Sequence, residues 1–355
     1  MNHTVSIDLY SDTVTRPTAR MRQAMAQAEV GDEKERADPT VNLLTERVAE
    51  LLGKEDAIFL PSGTMCNQVA FRVWCRPGDE IIMDTTAHTR HFETGGPAAL
   101  SGASTYTVEG RRGVFDAAKV ADAIRPVGDD HFPRSRVVLV EQTSNMGGGT
   151  IWPIATVKEV CDLAHGHGLA CHMDGARLLN AVVATAIPAS EWAAHFDSIW
   201  IDFSKGLGAP VGAALAGSEE FIRDAWRWKL QFGGGMRQAG IIAAGALYAL
   251  DHHVERLAED HAHASVLAEG LQSIGGITVE PVETNMVFFD VSGLGMTAEI
   301  FHDRLLQQSV RVSYMEKSRV RAVTHLDISR AQVLQAIDII RELAEGRPSP
   351  GIRER

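Results

Sequence analysis

An alternation constrains this chain more than any other feature. Seven short runs, at 57–60, 80–83, 105–108, 136–141, 169–173, 198–203 and 213–216, read as strands, and helix-patterned segments separate most of them. Strands divided by helical stretches predict a mainly parallel sheet covered by helices on both faces. One helix carries its own punctuation: Asp38 is the expected N-cap and Pro39 the first helical residue, and Gly53 closes it. Between them Val41, Leu44, Val48, Leu51 and Leu52 recur at helical spacing. A second helix, 65–74, follows the turn Pro61-Ser62-Gly63-Thr64 at once. A strand ending at Leu60 thus hands over to a helix whose N-terminal amides are exposed.

Past Gly233-Gly234-Gly235, residues 239–272 keep helical periodicity with a break near Asp251-His252-His253. From about Ile277 the pattern becomes strand, strand, helix, strand, helix, including 285–291, 298–308, 320–328 and 329–345. The expected fold is α/β: a large domain over 1–247 with a mainly parallel sheet covered by helices, and a small C-terminal α/β domain over 248–355. The last residues, 347–355, read as a loose tail. With 355 residues, 45% of them hydrophobic, the chain can build two cores.

The formal net charge is -12 and the basic residues are scattered, so nucleic acid is excluded as the expected main partner. A polar start at Met1–Asp8 and no apolar run of membrane-spanning length lead to the expectation of a cytoplasmic protein that binds no membrane. Cys66, Cys75, Cys161 and Cys171 have neither zinc spacing nor disulfide density, and are read as reduced and mostly buried. Histidine pairs such as His165/His167 lack a suitably spaced carboxylate, and no metal is expected.

The chemistry gathers at strand ends. Asp174 closes one apolar run and Lys205 follows another about thirty residues on. An acid can hold a pyridine nitrogen protonated, and a lysine can condense with a cofactor aldehyde, so the pair reads as a pyridoxal phosphate site. Ser62, Gly63 and Thr64 join backbone amides and two hydroxyls to the positive end of a helix dipole, where a phosphate fits. Ligands of open parallel sheets collect at the carboxyl ends of strands, where Gly63, Asp174 and Lys205 all fall in this reading. His88, after the 80–83 strand, can lay its imidazole on the cofactor ring. Arg177, three residues past Asp174, can approach the ring oxygen or the substrate. Arg321, placed at the start of the apolar stretch 322–328, offers the planar fork that a substrate carboxylate needs.

With these residues in view, the sequence closely resembles the L-threonine aldolase family of fold-type I pyridoxal phosphate enzymes, which also includes β-eliminating lyases. The likeness runs from Ile7 to Leu343. It is carried by residues 8–17, Asp38-Pro-Thr-Val-Asn42, Pro61-Ser-Gly-Thr64, Ala87-His88, His172-Met-Asp-Gly-Ala-Arg177, Ser204-Lys-Gly-Leu207, residues 233–239 and Val323-Thr-His-Leu-Asp327. The resemblance implies Lys205 as the anchoring lysine, Asp174 as partner of the ring nitrogen, His88 as the stacking residue, and Gly63 with Thr64 at the phosphate. It places Ser11, Arg177 and Arg321 around the substrate carboxylate and sends Arg237 to a neighbouring subunit's site, which implies a homo-oligomer, dimer or tetramer.

Two departures bear on substrate. Where the family usually has Thr-His-Asn, this chain has Thr143-Ser144-Asn145, and Glu35 stands where the family usually has a tyrosine. The proton of a β-hydroxyl then falls to His88, to a water held by Ser144, or to Glu35. Arg90 and His91, where the family often has aromatics, suit a polar or acidic side chain. The expected reaction is cleavage of an L-β-hydroxy-α-amino acid (threonine, allo-threonine or a phenylserine-like analogue) to glycine and an aldehyde. The alternative is β-elimination to a 2-oxo acid and ammonia, with Lys205 as base. Aminotransfer is a third and weaker reading.

Overall fold

The computed structural model describes residues 5–346, so the expected tail at 347–355 lies outside the described residues. The chain divides into two compact units, Pro17–Val254 and Met1–Arg16 with Glu255–Arg355. This differs from the expected boundary at 247/248, which leaves the N-terminal residues with the large domain. They fall with the C-terminal unit because Ile7–Asp8 pairs in parallel with Val310–Arg311, Val323 donates its N–H to the Leu9 carbonyl at 2.9 Å, and Ile7 and Leu9 are buried in that unit's core.

The larger unit is built on a seven-stranded sheet of β1 (Asp56–Leu60), β2 (Asp79–Asp84), β3 (Ser104–Val108), β4 (Arg134–Glu141), β5 (Ala170–Gly175), β6 (Ser198–Asp202) and β7 (Ala213–Gly217). The order is β1-β7-β6-β5-β4-β2-β3, and only β7 runs against its neighbours. Helix α1 (Pro39–Leu52) begins at an Asp38 cap and ends at Gly53, whose φ of 61 is a left-handed value that glycine adopts without strain. Helix α2 (Gly63–Trp74) follows β1 directly.

Ile58 and Leu60, two residues apart and so on one face, pack with Val69 and Ala70 of α2 and with Phe221 and Ile222 of the helix Glu219–Gln231. The alternate residues Ala57 and Phe59 are buried as well, because both faces are covered. Strands β6, β5, β4 and β2 are consecutive and parallel, so their carboxyl ends share one edge of the sheet.

The smaller unit has a four-stranded antiparallel sheet in the order Ser313–Tyr314, Arg319–Val323, Met286–Asp290, Thr278–Val279. Its core joins Phe289, Val320 and Ala322 to Leu267, Phe301 and Ile337 from three helices. The expected strand 320–328 stops at Val323. Thr324 gives its N–H to Asn285 O, and Ile328 closes a turn on His325 O. Arg321 therefore sits inside a strand, between Phe288 and Ser313, and does not open one. No described helix is long and apolar enough to cross a membrane.

Candidate active site

The site grows from the shared strand edge of the larger unit. Asp174 stands near the end of β5, beside Glu141 at the end of β4 and Trp200 of β6. It is 2% exposed. Its Oδ1 accepts the N–H of Ala176 at 3.1 Å and its Oδ2 accepts Nδ2 of Asn67 at 2.9 Å. The same Asn67 nitrogen donates to Glu93 at 2.8 Å. Glu93 also accepts Gln68 Nε2 at 2.7 Å and faces His88 Nδ1 at 2.9 Å. One nitrogen of His88 and carboxylate oxygens of Glu93 and Asp174 thus lie within 4.8 Å of one another.

Those neighbours set the charges. Burial works against a charge on His88, but its hydrogen bond to Glu93 and the fields of Asp174 and Glu141 outweigh that and raise its pKa above the ordinary value. Glu141 is pushed up to about 7, first by burial and then by the charge of Asp174. Backbone N–H groups of Asn145 and His88 hold it down only in part. His172 of β5 is fully buried and falls to about 3, so it is neutral.

Lys205 lies just past β6. Its Nζ is 3.0 Å from Asp202 Oδ2 and 5.6 Å from the centre of the Trp200 ring, and its side chain is 18% exposed. Asp202 also accepts the N–H and hydroxyl of Ser204, each at 2.7 Å, which fixes the carboxylate that meets the amine. At the α2 N-terminus the Ser62 hydroxyl accepts the N–H of Met65 at 3.2 Å. The first amides of a helix have no partner within it, so Gly63 and Thr64 turn theirs outward. Gly63 is glycine for a further reason: a Cβ there would lie 2.1 Å from the Trp200 ring.

The other expected residues are less concentrated. Arg177 is buried, precedes the helix Leu178–Thr185 and donates its N–H to Gln142 O at 3.0 Å. Ser144 is buried, pairs with Thr150 through its backbone, and lines a cavity of about 10 Å³ with Ala87, Gly113, Glu141 and Trp152. That is room for about one water. Glu35 is exposed on a turn that opens with Glu33. Glu33, not Glu35, is turned inward: it pairs with buried Lys229 and accepts the N–H of Met236 at 2.9 Å. Arg237 pairs with Asp32 of its own chain at 2.8 Å, its side chain 60% exposed. His91 Nε2 and Arg90 both reach the Thr85 carbonyl, at 2.8 and 3.5 Å.

In the smaller unit Ser11 and Arg321 are both buried. The Ser11 hydroxyl accepts from the N–H and the hydroxyl of Thr13, and Arg321 donates to Ser313 Oγ at 3.0 Å and to the Tyr10 carbonyl at 3.3 Å.

Sequence reasoning missed Asn67, Glu93, Glu141, Trp200 and Asp202. One had a signal: Glu141 closes a buried strand.

A family model described as beta-eliminating lyase matches residues 8–293. The low specificity L-threonine aldolase of Escherichia coli (strain K12) is 42% identical over 330 residues, 93% of this chain and 96% of that protein. Low-specificity L-threonine aldolase 1 of Arabidopsis thaliana is 40% identical over 334 residues, 92% and 93% of the two chains. Among solved structures, that of Leishmania major threonine aldolase has the same fold, with a TM-score of 0.84 at 20% identity over 95% of this chain and 99% of that one.

Proposed function

The chain belongs to the beta-eliminating lyase family and is related to the low-specificity L-threonine aldolases, and from that premise we propose that it cleaves an L-β-hydroxy-α-amino acid to glycine and an aldehyde, with pyridoxal phosphate as cofactor. Threonine, allo-threonine and a phenylserine-like analogue are the substrates proposed. The observation that carries this reading is the buried Asp174 carboxylate near the end of β5, with the Lys205 amine just past the end of its neighbour β6.

The donor set suits that cofactor. Lys205 would anchor its aldehyde carbon, Asp174 would face its ring nitrogen with Arg177 near the ring oxygen, and Ser62, Gly63 and Thr64 would hold its phosphate at a helix N-terminus. His88 would lie on the ring, and Arg237 is retained from the resemblance as a residue reaching a neighbouring subunit's site. Bound there, pyridoxal phosphate supplies an electron sink for the pair released as the Cα–Cβ bond breaks. Three acidic side chains, Asp174, Glu93 and Glu141, favour a positive charge between them.

The chain's own residues then handle the proton of the β-hydroxyl. Glu93, which accepts from Asn67 and Gln68, is an acceptor toward His88 as well, so His88 carries a proton on Nδ1 and presents the lone pair of Nε2. A partly exposed imidazole held in one tautomer by a buried carboxylate is a suitable general base. Glu35 is exposed on its turn and His88 is held by buried Glu93, so His88 is the base we favour, with a water in the small cavity beside Ser144 as the second candidate. Ser11, Arg177 and Arg321 are retained as the groups for the substrate carboxylate. The same reading has the enzyme work as a homo-oligomer in the cytoplasm. Its four free, buried cysteines support a reducing compartment.

Lys205→Ala tests the assignment. After incubation with the cofactor and borohydride reduction, which forms the imine with loss of water and adds two hydrogens, the native chain should gain the cofactor's mass less one oxygen and the variant should not, and the variant's turnover should be lost. Normal turnover in the variant would end the reading.

A further inference from the structure

Asn67 is fully buried, and every hydrogen-bonding position of its amide is taken. Its Oδ1 accepts Nε1–H of Trp200 at 2.7 Å. An indole N–H is only a donor, so the oxygen must face Trp200 and the nitrogen must face the acids. The second lone pair is accounted for from further away. Trp74 donates to Ser198 Oγ at 2.8 Å, which leaves the serine's own hydrogen for His172 Nδ1 at 2.8 Å. His172 Nδ1 also lies 3.2 Å from the Ser198 carbonyl, but Asn67 Oδ1 can only accept, so the neutral ring carries its one proton on Nε2, gives it to that oxygen at 3.1 Å and accepts from the hydroxyl at Nδ1. The amide nitrogen then divides its two hydrogens between Asp174 and Glu93.

We infer that Asn67 is a positioning residue for this reaction: locked from behind by Trp200 and His172, its amide holds in one rigid array the carboxylate meant for the cofactor nitrogen and the carboxylate that orients His88. The inference rests on the cofactor reading above. Without Asn67, Asp174 keeps only the Ala176 N–H among these partners, Glu93 keeps Gln68 and His88, and the amide that ties the two buried carboxylates together is gone. Loss of a bond to a charged group in such a place is felt strongly.

The test is binding by the cofactor-free chain, followed by fluorescence, of pyridoxal phosphate and of its 1-deaza analogue, which has C–H in place of the ring nitrogen. The native chain should prefer pyridoxal phosphate. Asn67→Leu should reduce that preference about tenfold, as expected when one charge-assisted hydrogen bond loses its geometry, while affinity for the analogue stays within about twofold. Asn67→Ala, smaller and uncharged, should reduce the preference as well and serves if the leucine variant does not fold. A general structural role would weaken both ligands equally, and that result, or an unchanged preference, overturns the inference. If the native chain bound neither ligand, the cofactor reading itself would fall, and this inference with it; equal binding of both would leave the cofactor in place but remove Asp174 from its ring nitrogen, and would overturn the inference alone.

Discussion

His88 shows how far a single residue depends on groups remote in sequence. Its raised pKa is the balance of burial, which lowers it, against a hydrogen bond to Glu93 and the charges of Asp174 and Glu141. Glu93→Gln removes the nearest of those charges and turns the acceptor into a group that can present an amide. His88 should then titrate at a lower pH than in the native chain, as followed by NMR of its ring in the cofactor-free protein. An unchanged midpoint would show that Glu93 does not govern it. Lys205, Asp174 and His88 were legible in the sequence because each follows or closes an apolar run, where ligands of a parallel sheet collect. Asn67 and Glu93 were not, because the bond from Asn67 to Asp174 spans 107 positions and Glu93 lies in irregular chain with no period to mark it.

At the scale of elements, caps and close approaches do the positioning. Asp38 was read as a helix cap, and the structure gives it four N–H groups: Oδ1 takes Thr40 and Val41, Oδ2 takes Gly31 and Gly240. One buried carboxylate thereby joins the start of α1 to the start of the helix Gly240–His252. Asp38→Ala should cost about 2 kcal/mol or more in chemical denaturation, the upper end for a cap, since two further amides lose their acceptor. A cost under about 0.5 kcal/mol would mean that water replaces the carboxylate without penalty. Helix and strand limits were readable to within a few residues because periodicity and caps are local. The strand past Val323 was overread, since an apolar run cannot show that Thr324 and Ile328 turn their N–H groups to Asn285 and His325.

For the whole molecule, pairing order and acid response come from contacts that no local pattern reveals. The strand alternation predicted a mainly parallel sheet, but the insertion of β7 between β1 and β6, antiparallel to both, depends on long-range pairing. Buried His172 adds a pH term to stability. Its folded pKa of about 3 lies below the unfolded value of 6.5, so its contribution is fully present above pH 6.5. As pH falls from there toward about 3, the unfolded chain takes up a proton that the folded chain refuses, and stability drops by up to about 1.4 kcal/mol per pH unit. His172→Gln should show a shallower loss over that window in urea denaturation, and an identical slope would assign the acid response to other groups. The central claim is the bond that breaks, and product analysis tests it most directly. The purified chain with pyridoxal phosphate should be given L-threonine, L-allo-threonine and phenylserine, and the products identified by mass spectrometry. Glycine with the matching aldehyde is the predicted result, whereas a 2-oxo acid with ammonia and no glycine would contradict it.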